Sequence, residues 1–276
     1  MEHPPTRLIA TDIDGTMLRS DGTLSPRVQR ALHQAWDAGI HVVPATGRPL
    51  LICDDVIAAL GLHHYWVFAN GAVTRHLGRD EMVRGVWIEP DLAQGFVVEL
   101  RAAIDGAGFA IEMERDIAYE PGFEQLIPHV PAIGPIDDVL DGIRSRVQKV
   151  LVFHRGLDID ELFAAVSDVV GDHAIACYSG LSFIEVSARL VTKATALEAL
   201  AIDLGIDRSE VVAFGDNHND VAMLKWAGRG FAMANANDGA KQAADEVIAS
   251  NDDDGLAIVV ERLTADYQSR STRSRS

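Results

Sequence analysis

Between residues 7 and 72 the chain alternates short apolar runs with amphipathic stretches, and the same rhythm resumes after residue 190. No other feature limits its possible folds as sharply. "RLIATDID" reads as a strand; "SPRVQRALHQAWDAG" reads as a helix capped by Ser25, with Pro26 in its first turn, Val28, Leu32 and Trp36 on one face, and Gly39 at its end. "IHVVPAT", "PLLICDDVIAALG" and "YWVFANGA" continue as strand, helix and strand. Short joints between alternating strands and helices imply a parallel sheet covered on both faces. After residue 190 the same reading gives helix "TKATALEALAIDLG", strand "VVAFGD", helix "NDVAMLKWAG", strand "RGFAM", helix "DGAKQAAD", strand "EVIAS" and helix "GLAIVVERLTADY".

The block between the two halves is of another kind. Its strands "FAIEMER", "VQKVLVFH", "HAIACYS" and "SFIEVSA" are polar or alternating, its clear helices fall near 90–105 and 158–170, and the run "YEPGFEQLIPHVPAIGPIDDV" is broken by prolines. That pattern fits a smaller α+β unit with a partly exposed sheet. The expected class is therefore α/β: a Rossmann-like parallel core from residues 1–84 and 190–267, interrupted by an inserted α+β domain at 85–189, with 268–276 a disordered Ser/Arg-rich tail.

Composition removes several classes of function. A formal charge of −17 disfavours nucleic acid and anionic lipid as partners, and the basic tail "QSRSTRSRS" is too short to offset it. No apolar run is long enough to span a membrane, and "MEHPPTR" lacks the basic-then-apolar order of a signal peptide, so the expected location is cytoplasmic. The expected state is a monomer or weak homodimer. Cys53 and Cys177 sit in apolar surroundings and are read as small hydrophobes without a role.

Ligands of open α/β sheets bind outside the carboxyl ends of the strands. Here those ends are polar: "DIDGT" after the first strand, "ATGR" at 45–48, "ANGA" at 69–72 and "GDNHND" at 215–220, with Lys193 entering a helix before the last of them. Asp12 and Asp14, two residues apart on an extended chain, share one face about 6–7 Å apart. Two carboxylates so placed raise each other's pKa unless a cation neutralises them or one holds a proton. Carboxylates, a hydroxyl, glycine amides and cations together are an inventory for a phosphate and a divalent metal. Taken singly, each has a plain reading: "DG" as a turn, Thr46 as a helix cap, Lys193 as a solvated lysine, Asp216 and Asp220 as acids at a helix start. His218 is read as merely exposed, and Asp252 to Asp254 as a solvated helix-capping run. There is no P-loop, Gly-x-Ser-x-Gly or His-Glu-x-x-His, and "GRGFAM" has Met233 where a dinucleotide loop needs glycine.

In these ordered motifs the chain resembles the haloacid dehalogenase-like hydrolases, specifically the Cof-type, class IIB phosphatases, from residue 8 to about 260. "DIDGTML", "ATGR", the Lys193 helix entry and "GDNHNDVAML" are similar to the family's four motifs, and "AGRGFAMANA" (227–236) and "NDDDGLA" (251–257) to further hallmarks of the subfamily. The resemblance implies a C2-type cap for the insertion, a small phosphorylated metabolite as substrate (a sugar phosphate, or a cofactor or nucleotide phosphate) and Mg²⁺ as cofactor. It implies Asp12 as the nucleophile that becomes an aspartyl-phosphate and Asp14 as general acid and then base. Asp12, the Asp14 carbonyl and Asp216 would hold the metal, with Asp220 a ligand or a support. Thr46, the Gly47 amide and Asn219 would bind the phosphoryl oxygens, Lys193 would balance their charge, and Arg48 and Asn70 would face the substrate. One departure is Ala194, where the family usually has glycine after its lysine. Two other outcomes use the same nucleophile: a phosphomutase or phosphotransferase that passes the phosphoryl group to a hydroxyl, and a non-catalytic phospho-acceptor module, which Asp14 argues against.

Overall fold

Every residue of the first strand is buried, apolar on both faces, and so suited to the centre of a sheet with helices on either side. The computed structural model describes residues 4–114, 116–126 and 134–274. In its first part β1 (Leu8–Thr11), α1 (Pro26–Asp37), β2 (His41–Pro44), α2 (Asp54–Leu60) and β3 (Tyr65–Phe68) alternate, followed by β4 (Val73–His76) and β5 (Glu81–Gly85). Next come α3 (Pro90–Ala103), β6 (Gly108–Glu112), β7 (Ile117–Tyr119), β8 (Gly134–Pro135), α4 (Val139–Gly142), β9 (Lys149–Phe153), α5 (Ile159–Val170), β10 (Ala174–Cys177) and β11 (Ile184–Ala188). The last part is α6 (Lys193–Asp203), β12 (Val211–Gly215), α7 (Val221–Trp226), β13 (Arg229–Met233), α8 (Asp238–Ala243), β14 (Glu246–Ile248) and α9 (Gly255–Ser274).

Five strands pair in parallel in the order β14-β13-β12-β1-β2, and a parallel bridge from Ala45 to Val67 leads on to β3, which forms an antiparallel sheet with β4 and β5. Strand alternation sends Ile9, Val42 and Phe214 to one face, against Leu32 and Val260, and Leu8, Val43 and Ala213 to the other, against Leu197 and Met223. A fully buried side chain of this size contributes about 1.5–3 kcal/mol, so both helical layers are held by apolar burial. Helix α1 begins as expected: the Ser25 hydroxyl accepts from the Val28 amide at 3.1 Å, with Pro26 next.

The middle part builds a six-stranded sheet, β10-β11-β9-β6-β7-β8. One face packs on α3 and α5 through Phe109, Ile111, Val150, Val152 and Val186. The opposite face carries Glu112, Lys149 and Glu185, each only 2 % exposed. The expectation of a partly exposed sheet holds at its edges, where β8 and β10 are half-exposed, but not at its centre, where Glu112, Lys149 and Glu185 are turned toward the parallel core.

Smaller differences have local causes. "PLLICDDVIAALG" divides into a 3-10 turn, Leu50–Ile52, and α2, whose first turn carries Asp54 and Asp55. "YWVFANGA" stops being a strand at Phe68, because Ala69, Asn70 and Gly71 all take positive φ. Short β4, β5, β7 and β8 left no clear signal. Residues 268–274, expected as disordered, continue α9; 275 and 276 lie outside the described residues, as do Pro128 and Pro131. Among the described residues no helix is long and apolar enough to cross a membrane.

Candidate active site

Two tight loops at the carboxyl ends of adjacent strands β1 and β12 build the centre of the site. Asp12 still belongs to the sheet, its amide donating to the Phe214 carbonyl at 2.9 Å. The chain then turns through Gly15 at φ +77, where an added Cβ would lie 2.4 Å from Asp216 Oδ2. Only glycine meets both demands. Thr16 donates its hydroxyl to Asp216 Oδ1 at 2.7 Å, and Asn235 donates to the Gly15 carbonyl at 2.8 Å. Asn237 braces the second loop, its amide donating to the Asp216 carbonyl at 2.9 Å, and Asn251 donates to the Leu18 carbonyl at 2.9 Å. The two later hallmark runs thus support the loops that hold the acids.

Asp12, Asp216 and Asp220 bring carboxylate oxygens within 4.8 Å of one another. Lys193, fully buried at the start of α6, donates to Asp12 Oδ1 at 2.5 Å and to Asp220 Oδ1 at 2.6 Å. A cation at a helix N-terminus opposes the helix dipole, so the carboxylates and not the helix keep it there. Asp220 Oδ2 accepts from the amides of Asp216 and Asn217 at 2.9 and 3.0 Å, so both Asp220 oxygens are engaged. Ala194 sits in the regular first turn of α6, so the departure from glycine leaves the helix intact.

Burial lifts the Asp12 carboxyl well above the usual carboxylate range, with Asp220 adding to the rise and Lys193 opposing it. Asp216 is pushed up to about 7, again first by burial and then by Asp220. For Lys193 burial pulls downward, but Asp12 and Asp220 outweigh it and hold the amine above its ordinary value. Three buried carboxylates against one ammonium leave excess negative charge among hard oxygen donors. That donor set fits a divalent cation with oxygen coordination.

A cavity of about 520 Å³ opens above, lined by Asp12, Asp14, Gly47, Arg48 and Asn219 of the core and by Glu112, Lys149, Ser179 and Glu185 of the insertion, among others. Asp14 is held by Arg48, whose Nε donates at 2.8 Å while a terminal nitrogen reaches the second oxygen. That hydrogen bond raises the already high Arg48 pKa. Thr46 is buried and accepts from the Arg48 amide at 3.0 Å, as a capping residue would; it is not among the lining residues. Asn219 donates to Asn70 Oδ1 at 3.0 Å, and Asn70 donates to Glu185 Oε2 at 2.8 Å. Asn70 and Lys193 line a second cavity of about 310 Å³ together with Cys177 and His218.

His218 corrects its reading as an exposed residue: it is half-buried, stacked on Tyr178 at 5.0 Å and edge-on to Phe163 at 4.8 Å, because the insertion closes over its loop. Asp252 and Asp254 bind the β1 side of the core, Asp252 accepting from the Ser20 amide at 2.9 Å and Asp254 pairing with Arg19 at 3.0 Å. Burial pushes the Cys53 thiol up to about 12 and the Cys177 thiol higher still, so both remain protonated. Sequence reasoning passed over Glu112, Lys149, Ser179 and Glu185. The sequence signal was partial: Glu112 stands two positions before Glu114 in "FAIEMER" and Glu185 two before Ser187 in "SFIEVSA", whereas Gln148 and Lys149 are adjacent in "VQKVLVFH".

A parallel sheet with an inserted antiparallel lobe, and an acid cluster at the carboxyl edge between them, define a hydrolase of phosphoryl-transfer type. A family model described as haloacid dehalogenase-like hydrolase matches residues 9–260. The chain belongs to this family. It is 30% identical over 267 residues to the 5-amino-6-(5-phospho-D-ribitylamino)uracil phosphatase YcsE of Bacillus subtilis (strain 168), spanning 92% of this chain and 94% of that protein. It is 29% identical to the HMP-PP phosphatase of Yersinia enterocolitica, spanning 91% of this chain and 93% of that one. A haloacid dehalogenase-like hydrolase from Bacteroides thetaiotaomicron superposes with a TM-score of 0.78 at 27% identity, covering 94% of this chain and 99% of that one.

Proposed function

We propose that the protein is a Mg²⁺-dependent phosphatase of small phosphorylated metabolites, acting through an aspartyl-phosphate on Asp12. The observation that carries this reading is the convergence of Asp12, Asp216 and Asp220 around Lys193 beneath the cavity. Asp12, the Asp14 carbonyl and Asp216 would hold the ion, and Asp220, with its oxygens engaged, serves as their support. When bound, Mg²⁺ neutralises the phosphate and the nucleophile so that like charges can approach.

The chain's own residues do the rest. Asp12 attacks phosphorus, and Lys193 opposes the rise that burial and Asp220 impose on its carboxyl. Asp14 protonates the departing alkoxide, then takes a proton from the water that cleaves the acyl-phosphate; Arg48 fixes its orientation until substrate enters. The Gly47 amide and Asn219 bind phosphoryl oxygens, with Thr46 shaping the loop from behind. Residues 85–189 act as a cap that excludes bulk water and contacts the leaving group. The deep −17 charge favours no nucleic-acid or membrane partner, and a monomer or weak homodimer suffices for a site built from one chain. A phosphate-release screen over sugar phosphates, cofactor phosphates and nucleotides with Mg²⁺ tests the proposal. Undiminished release after exhaustive metal removal would refute it.

A further inference from the structure

The roof of the cavity presents acceptors. Lys149 has three N–H donors, and all are engaged: with the Gly47 carbonyl at 2.7 Å, Glu185 Oε2 at 2.7 Å and Glu112 Oε2 at 3.1 Å. The Ser179 hydroxyl donates to Glu185 Oε1 at 2.5 Å. Two carboxylates thus face one ammonium whose hydrogens are fully committed. Glu112 Oε1, on a side chain 2 % exposed, has no hydrogen-bond partner. An unpaired buried acceptor is costly, on the order of 1–3 kcal/mol, and a donor from a ligand removes that cost. Leu151 and Phe183 add apolar surface to the same cavity.

We infer that Glu112 is a specificity-determining residue that accepts a hydrogen bond from an O–H or N–H of the substrate's leaving group, and that this roof excludes leaving groups carrying a second anion. The inference rests on the phosphatase reading and narrows it. A hydroxyl or amine satisfies Glu112 Oε1. A second phosphate or carboxylate at that position meets two carboxylates, with no free cationic donor on the described side chains of the roof. Burial, opposed by Lys149 and reinforced by Glu185, pushes Glu112 up to about 7.

The test uses the full-length protein with saturating Mg²⁺ and steady-state phosphate release from matched pairs: fructose 6-phosphate against fructose 1,6-bisphosphate, and glucose 6-phosphate against glucose 1,6-bisphosphate. 4-Nitrophenyl phosphate, whose leaving group has no donor, serves as reference. For wild type, kcat/KM should favour the monophosphate in each pair by about tenfold or more. E112A should lower kcat/KM for the monophosphates relative to 4-nitrophenyl phosphate by roughly tenfold, mainly through KM, the scale of one charge-assisted hydrogen bond. E112Q, nearly isosteric and with its fold to be checked by circular dichroism, should narrow the gap between mono- and bisphosphates by a similar factor. Wild type turning over the bisphosphates as well as the monophosphates, or ratios unchanged in E112Q, would overturn the inference while leaving the phosphatase reading intact. Release from none of the esters, 4-nitrophenyl phosphate included, would overturn that reading and the inference with it.

Discussion

Lys149 Nζ donates to the main-chain carbonyl of Gly47 at 2.7 Å, joining the buried face of the inserted sheet to the loop after β2 across 102 positions of sequence. The same ammonium neutralises Glu112 and Glu185, and all three side chains are nearly inaccessible. Its removal therefore leaves two buried carboxylates without a counter-charge. K149M should lower the stability of the protein at neutral pH by about 3–5 kcal/mol in urea denaturation, and K149M/E185Q should recover part of the loss. A double variant no more stable than K149M would show that charge burial is not the cause.

The close approach of Gly15 to Asp216 makes a second prediction. G15A forces a side chain into a positive-φ turn and against Asp216 Oδ2, at 2.4 Å. The strain alone costs roughly 1–3 kcal/mol, and displacement of Asp216 should weaken Mg²⁺ binding, read by calorimetry. Metal affinity equal to wild type would mean that Asp216 does not need the position it holds here.

Asp12 and Asp14 differ in surroundings and should differ in their variants. D12N should abolish both turnover and phosphoenzyme formation, because an amide is a poor nucleophile. D14N should keep metal affinity, since its proposed ligand is a main-chain carbonyl, while turnover falls by about 10²–10⁴. Acid-quench trapping of labelled enzyme separates the two. Normal turnover in D14N would remove Asp14 from the acid/base role.

A pH effect should arise away from the cavity. The His64 ring lies 4.4 Å from that of Trp36 and 4.6 Å from that of His76, tilted against both and near His41 and Arg79, and Nδ1 of His41, His64 and His76 is unpaired. Burial first, then these cations, lowers His64 to about 4. The unfolded chain, with an ordinary value of about 6.5, binds the proton more readily. The contribution to stability is therefore present above pH 6.5 and lost as pH falls toward 4. The melting temperature should drop between pH 7.5 and 5, and H64F should flatten that slope. Identical slopes for the two proteins would locate the titrating group elsewhere.

Much of the architecture was legible because its signals are local. Ser25 and Pro26 announce α1, continuous apolar runs announce β1 and β12, and the acids that end those strands stand beside turn residues that mark where the strands stop. Parallel sheets gather strand ends at one edge, so the order of elements alone predicted that Asp12, Lys193 and Asp216 would meet. What the sequence left open depends on contacts between distant segments. The runs "FAIEMER" and "VQKVLVFH" do not state that Glu112 and Lys149 face one another, which the β6–β9 register sets, nor whether water or protein covers them; solvated and buried polar faces have the same pattern. Docking of the inserted sheet on the core decided that question, because burying Lys149 requires all its donors to find acceptors, and one of those is the Gly47 carbonyl. The same docking turned His218 from a surface histidine into a stacked one and left Glu112, on the wall of the cavity that Asp12 and Asp14 also line, with an unpaired oxygen. Local chemistry placed the acids and Lys193 at one edge of the sheet; long-range burial determined which side chains surround them.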